Sequence, residues 1–158
     1  MSPTPTSTTA KVDVRGPRFA AWVTTAVLVL TLIVSASSVP TAAAVLGAQA
    51  VVFAVGAWAG PRRHPYGLVF AKLVAPRLGP VSEREPVAPL KFAQLVGFVF
   101  SAVGVTGFAL GAALLGVIAT AAALSAAFLN AAFGICLGCQ LYPLVVRLRP
   151  GPQTSEAA

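Results

Sequence analysis

Two cysteines, Cys136 and Cys139, are the residues of this 158-residue chain best suited to do chemistry. They stand at i and i+3, on one face of a helix, where two sulfurs can bridge each other or grip one metal ion. Only a thiolate attacks a disulfide or binds a metal, so what matters is which charges and dipoles surround the sulfurs. A helix N-terminus favours the thiolate and a C-terminus disfavours it. If the last apolar helix runs straight through Gly134-Ile135-Cys136-Leu137-Gly138-Cys139, the pair sits near its negative end. If the chain breaks at Gly134 or Gly138, the pair opens a new short helix and gains the favourable dipole. The sequence leaves both open. Arg62, Arg63, Arg147 and Arg149 are cations expected on the same side of the membrane.

Three uses of the pair follow. In the first, Cys136 and Cys139 are catalytic thiols for redox or sulfur chemistry. In the second they hold a thiolate-bound metal; a structural zinc wants four ligands, so the two cysteines would be shared across a dimer, with His64 a further donor. In the third they simply pack, as small buried residues often do. Apart from zinc or a similar metal, no cofactor is expected.

Little else in the chain is reactive. The acids Asp13, Glu83, Glu85 and Glu156 lie outside the apolar blocks, and the single histidine, His64, sits in a basic loop where it reads as solvated. Gln49, Gln94 and Asn130 are the polar residues inside or near apolar blocks. An amide in hydrocarbon needs a partner, so these three read as structural groups that hydrogen-bond between helices. With no ionisable residue inside a span, a proton-driven transporter is disfavoured.

The elements that must position these groups are membrane helices. The chain is 57% hydrophobic and 9% charged, against about 25% charged for soluble domains. From Phe19 to Pro61 no residue is charged, and one crossing takes about 20 residues. The block is therefore two spans, near 19–37 and 41–59, joined at the turn formers Ser35, Ser37, Ser38 and Pro40. From Phe92 to Val146 charge is again absent, giving spans near 92–110 and 113–139, with Gly107, Gly111 and Gly116 marking the turn. Gly107 and Gly111 also form a GxxxG, and Gly97 with Ser101 a small-xxx-small pair, both of which let helices approach closely. The loop 60–91 is rich in prolines, which forbid a long helix, and its apolar stretch Gly67–Ala75 is too short to span and reads as interfacial or as plain loop. Residues 1–10 and 150–158 read as disordered tails. The whole is one all-α domain, 11–149, of four transmembrane helices.

The net charge is +7, and all eleven Lys and Arg fall in the N-terminal segment, the middle loop or the C-terminal tail. Four spans put those regions on one side, which the positive-inside rule makes cytoplasmic. Both termini are then cytoplasmic in a multi-pass inner-membrane protein. The basic residues meet lipid headgroups and not nucleic acid, which needs a basic face on a soluble element. Arg18-Phe-Ala-Ala-Trp-Val23 and Lys91-Phe-Ala-Gln-Leu-Val96 open the first and third spans alike. Gly56 and Gly60 echo Gly134 and Gly138. The two hairpins therefore read as a candidate parallel repeat.

Val12-Asp13-x-Arg15-x-x-Arg18-Phe19, Glu85-Pro86-x-x-Pro89-x-Lys91-Phe92-Ala93-Gln94-x-x-Gly97, Ala127-Phe128-Leu129-Asn130 and Cys136-Leu137-Gly138-Cys139-x-x-Tyr142 resemble a bacterial membrane family, catalogued as domain of unknown function 4395. The resemblance covers about residues 11–148. It implies a thioredoxin-like or sulfurtransferase partner, because such proteins are frequently encoded beside members.

Function is thereby narrowed to three expectations. One is a thiol-disulfide or sulfur-handling accessory, in which Cys139, nearer the cytoplasm, meets the soluble partner and Cys136 resolves the mixed disulfide. A second is a non-catalytic structural or assembly subunit, as a homo-oligomer or within a larger membrane complex. The third is a channel or carrier for a small sulfur species, with a polar path at Gln49, Gln94 and Asn130.

Overall fold

The computed structural model of the protein describes residues 10–149. Four helices in it are long and apolar enough to cross a membrane. They are α1 (Arg15–Ser35), α2 (Val39–Ala59), α4 (Val87–Ala109) and α5 (Ala113–Phe133). Three short elements complete the fold at one end of the bundle. A two-stranded antiparallel ladder joins β1 (Lys11–Asp13) to β2 (Arg84–Pro86). The helix α3 (Pro65–Val69) is prolonged by a π turn and a 3-10 turn to Arg77 and lies on α1. The helix α6 (Leu137–Leu148) lies on α4.

The long helices pack in the cyclic order α1–α2–α4–α5, so each touches two neighbours. Small side chains govern the closest approaches, as expected where lipid offers no apolar driving force. A Cβ on Gly97 would fall within 3 Å of the Phe53 ring, and one on Gly104 within 3 Å of Leu46, so α2 sits directly against α4. Gly107 faces the backbone of Gly116 in α5. Leu28, Ala42, Leu46, Phe108 and Ala123 form the buried centre. Leu110, Leu114, Ile33 and Trp58 are exposed, which suits a lipid-facing surface.

Several boundaries differ from the sequence-based expectation, each for a local reason. Helix α4 begins at Val87 and not near 92, because Pro89 falls in its first turn, where a missing N–H is tolerated. The fourth span ends at Phe133 and not at 139: Gly134 takes φ +69°, its N–H caps Asn130 O at 3.0 Å, and the chain restarts as α6. The Gly107/Gly111 pair is not a helix-packing motif, because Gly111 lies in the α4–α5 turn with φ +79°. The apolar stretch after Gly67 is ordered helix, with Phe70 buried and stacked near Phe19 at 5.8 Å. The expected tails lie outside the described residues except Ala10, whose carbonyl accepts from Val87 N–H at 2.9 Å.

Asp13 organises the start of α1. Its carboxylate accepts from the Arg15 backbone N–H at 3.0 Å and pairs with the Arg15 guanidinium at 2.8 Å. That guanidinium holds the Asp13 carboxyl below its ordinary value, and its Nη1 also donates to Gly79 O at 3.2 Å.

Candidate functional site

The break at Gly134 decides the environment of the cysteines. Cys136 is the N-cap of α6, and its Sγ accepts from the Cys139 backbone N–H at 3.3 Å. Cys136 and Cys139 are joined as a disulfide, with Cα atoms 5.2 Å apart, and both residues are half-buried. The pair thus lies at the positive end of a helix, the arrangement that favours a thiolate once the bond is reduced. Pro143, four residues beyond Cys139, cannot donate to the Cys139 carbonyl, so the first turn of α6 is less tightly tied to the rest of that helix.

Two contacts hold this turn on the bundle. Gly138 is buried so closely on Ala93 of α4 that an added Cβ would lie 2.6 Å from the Ala93 Cα. One turn on, Tyr142 stands against Phe92 with ring centroids 6.0 Å apart. From the other side Arg18, in the first turn of α1, brings its guanidinium carbon to 4.0 Å from the point where a Cβ on Gly134 would lie. This cation escaped sequence reasoning, which looked to Arg62, Arg63, Arg147 and Arg149.

The disulfide turn walls a cavity of about 320 Å³ inside the bundle. Cys136, Leu137 and Gly138 line one side, and Asn130, Gln94 and Thr24 supply its polar atoms. Much of the remaining wall is alanine from α5, including Ala122, Ala123 and Ala126, whose short side chains leave the space open. A second cavity of about 280 Å³ adjoins it and shares Pro17, Ala20, Leu90 and Gln94; His64, Asp13 and Arg62 line this one.

The three amides separate into two kinds. Gln49 is hydrogen-bonded within the bundle: it is 1% exposed, accepts from Tyr66 Oη at 2.8 Å and donates to Thr24 Oγ1 at 3.5 Å. Gln94 is not satisfied by the protein, since its Oε1 is buried without a hydrogen-bond partner among the described residues. Asn130 lines the cavity beside Cys136, and its amide finds no interhelical partner among the described side chains.

His64 is not a solvated loop residue. It is 3% exposed and packs with Gln94 over Gly56, where a Cβ would come within 3 Å of either side chain. Burial pushes its pKa down to about 4 against a smaller opposing influence of Gln94, so the ring is neutral at pH 7. The signal that could have found it is Gly56, a gap on α2 one turn before the loop. Glu85, half-buried in β2, is raised by burial first and by Glu83 second, with Arg18 opposing.

Among the described residues no three of His, Cys, Asp and Glu come together as a metal site. Zinc on Cys136 and Cys139 requires the reduced pair and ligands from elsewhere, and His64 lines the neighbouring cavity and not the one Cys136 lines.

Neither a curated protein nor a solved structure matches the chain. A family profile does, over residues 12–147, a span that holds both cavities, the cysteine turn and all of the β ladder but Lys11. The chain belongs to the family described as Domain of unknown function (DUF4395).

Proposed function

We propose that the protein is a membrane-embedded thiol–disulfide carrier that exchanges electrons with a soluble, thioredoxin-like or sulfurtransferase partner through Cys136 and Cys139. The observation that supports this reading best is the closed Cys136–Cys139 bond at the start of α6, with Cys136 Sγ on the helix N-terminus. On reduction, the helix amides favour negative charge on Cys136 over Cys139. That reverses the roles expected from the sequence: Cys136 is the attacking and leaving sulfur, and Cys139 resolves the mixed disulfide. Arg18 adds positive charge beside the turn.

The same reading places the site on the cytoplasmic side of the inner membrane. The basic segments cluster at the bundle end that carries β1, β2, α3 and α6, and the positive-inside rule assigns that end to the cytoplasm, with both termini there. The two hairpins support a parallel repeat in a new register. Helices α2 and α5 have 21 residues each and end at positive-φ glycines, Gly60 and Gly134. His64 and Cys136 then correspond as N-caps of the short helices that follow.

Trapping tests the function. With Cys139→Ser, a mixed disulfide with the partner should accumulate on Cys136, and with Cys136→Ser much less should form. A pair that never cycles between dithiol and disulfide in cells, with no adduct on either variant, defeats the reading.

A further inference from the structure

A disulfide carrier at membrane depth needs a second electron partner, and the cavity behind the cysteines has the features of its site. Its wall is mainly small apolar side chains, and none of its lining residues is charged. Its volume of about 320 Å³ lies at the lower end of small-molecule sites, which run from about 300 Å³. The polar groups are few and neutral: the Gln94 amide, the Asn130 amide and the Thr24 hydroxyl. Gln94 lines both this cavity and the neighbouring one that His64 lines.

These features select a ligand class. A nicotinamide or flavin nucleotide carries phosphates, which need cations that this cavity does not present. A free thiol or persulfide needs no space of this size. A neutral, planar, lipid-soluble carrier of two electrons and two protons meets every requirement, because its two ring oxygens can be hydrogen-bonded by side-chain amides. Primary amides suit both redox states: the N–H groups of Gln94 and Asn130 can donate to quinone carbonyls, and the Asn130 oxygen can accept from a quinol hydroxyl.

Building on the thiol-carrier reading above, we propose that the cavity between Cys136, Asn130 and Gln94 binds the ring of a membrane quinone, which takes electrons from the Cys136–Cys139 dithiol. The step balances without a further reagent. One S–S bond forms between Cys136 and Cys139, two S–H bonds are lost, and the two electrons and two protons convert the quinone to its quinol. Reduced partner then restores the dithiol by exchange through Cys136, leaving as its own disulfide.

The test uses the full chain in lipid nanodiscs and a long-tailed benzoquinone substituted at every ring carbon, which thiols cannot alkylate. Reduced wild type should consume one quinone per chain and close its disulfide at the same rate, followed by ultraviolet absorbance and by alkylation mass shift. Gln94→Leu and Asn130→Leu should each slow that oxidation at least tenfold, and Ala126→Leu should slow it by filling the cavity. Gly47→Ala, on α2 and outside the cavity lining, should change neither that oxidation nor the rate at which a small dithiol reduces the disulfide. The Cys136→Ser/Cys139→Ser double variant should still bind the quinone, because binding relies on the amides. Unchanged oxidation rates in all three cavity variants, or no quinone binding to wild type or to the double variant, overturn the quinone site; continued mixed-disulfide trapping would then leave the thiol-carrier reading standing alone.

Discussion

The seat of α6 on α4 can be tested by adding the same single methyl group at two glycines. At Gly138 a Cβ would lie 2.6 Å from the Ala93 Cα and 2.7 Å from its Cβ. The first of these is a main-chain atom, which no rotamer change can move aside. Ordinary contact begins near 3.4 Å, so α6 must lift from α4 by the best part of an ångström. Overpacking of this kind costs about 1–3 kcal/mol, while alanine in place of glycine in a helix returns about 1 kcal/mol. Gly138→Ala should therefore lose up to about 2 kcal/mol. At Gly47, in the middle of α2, the added Cβ meets nothing within 4 Å. Gly47→Ala should be neutral or stabilising by up to about 1 kcal/mol. The two variants should then differ by about 2 kcal/mol in reversible unfolding by dodecyl sulfate in mixed micelles, followed by far-ultraviolet circular dichroism. Because the lifted turn carries the cysteines, Gly138→Ala should also expose reduced Cys139 to maleimide more than Gly47→Ala does. Equal stability and equal labelling of the two variants would refute the close seat of the cysteine turn on Ala93.

Further outcomes follow from the polar groups. Gln49→Leu leaves the Tyr66 hydroxyl without its acceptor and should cost about 1–3 kcal/mol, whereas Gln94→Leu removes an oxygen that has no partner and should be close to neutral in the same unfolding assay. His64 has a folded pKa of about 4 against 6.5 when exposed, so the unfolded chain binds its proton first as the pH falls. Stability should be intact above pH 7, decline between about 6.5 and 4 by roughly 3 kcal/mol, and level off below, with the decline absent in His64→Gln. Equilibrium unfolding at several pH values reads it.

Much of the architecture is legible in the chain because hydrocarbon imposes a simple rule. Uncharged stretches long enough for two crossings can only be hairpins, and the four long helices overlie the four expected spans. What the sequence leaves undecided depends on three-dimensional neighbours. Gly134 reads the same as the other glycines of an alanine-rich run, yet its positive φ ends α5 and hands Cys136 the start of a new helix. The ladder of Lys11–Asp13 with Arg84–Pro86 is three residues a side, too short to show any alternation. His64 looks solvated in a basic loop, and only the gap at Gly56 admits its ring to the interior. Of the site itself, the cysteines could be read directly from their spacing. Their cavity could not, since it arises from alanines on α5 facing Gln94 across the bundle.

The β1–β2 ladder also puts an order on biosynthesis. Its two strands flank α1, α2 and α3 in the chain, so it can close as soon as Pro86 has left the ribosome, before α4 has emerged. The first hairpin is thereby clasped into a loop whose ends are fastened to each other outside the hydrocarbon. When α4 follows, it starts from a fixed point: its first residue, Val87, is held by Ala10. The second hairpin therefore enters beside a finished half and not beside two free helices. The cysteine turn, which emerges last, meets a surface already formed, so a nascent chain halted once Pro86 is clear of the ribosome should show the ladder closed and resist proteolysis at residues 11–13.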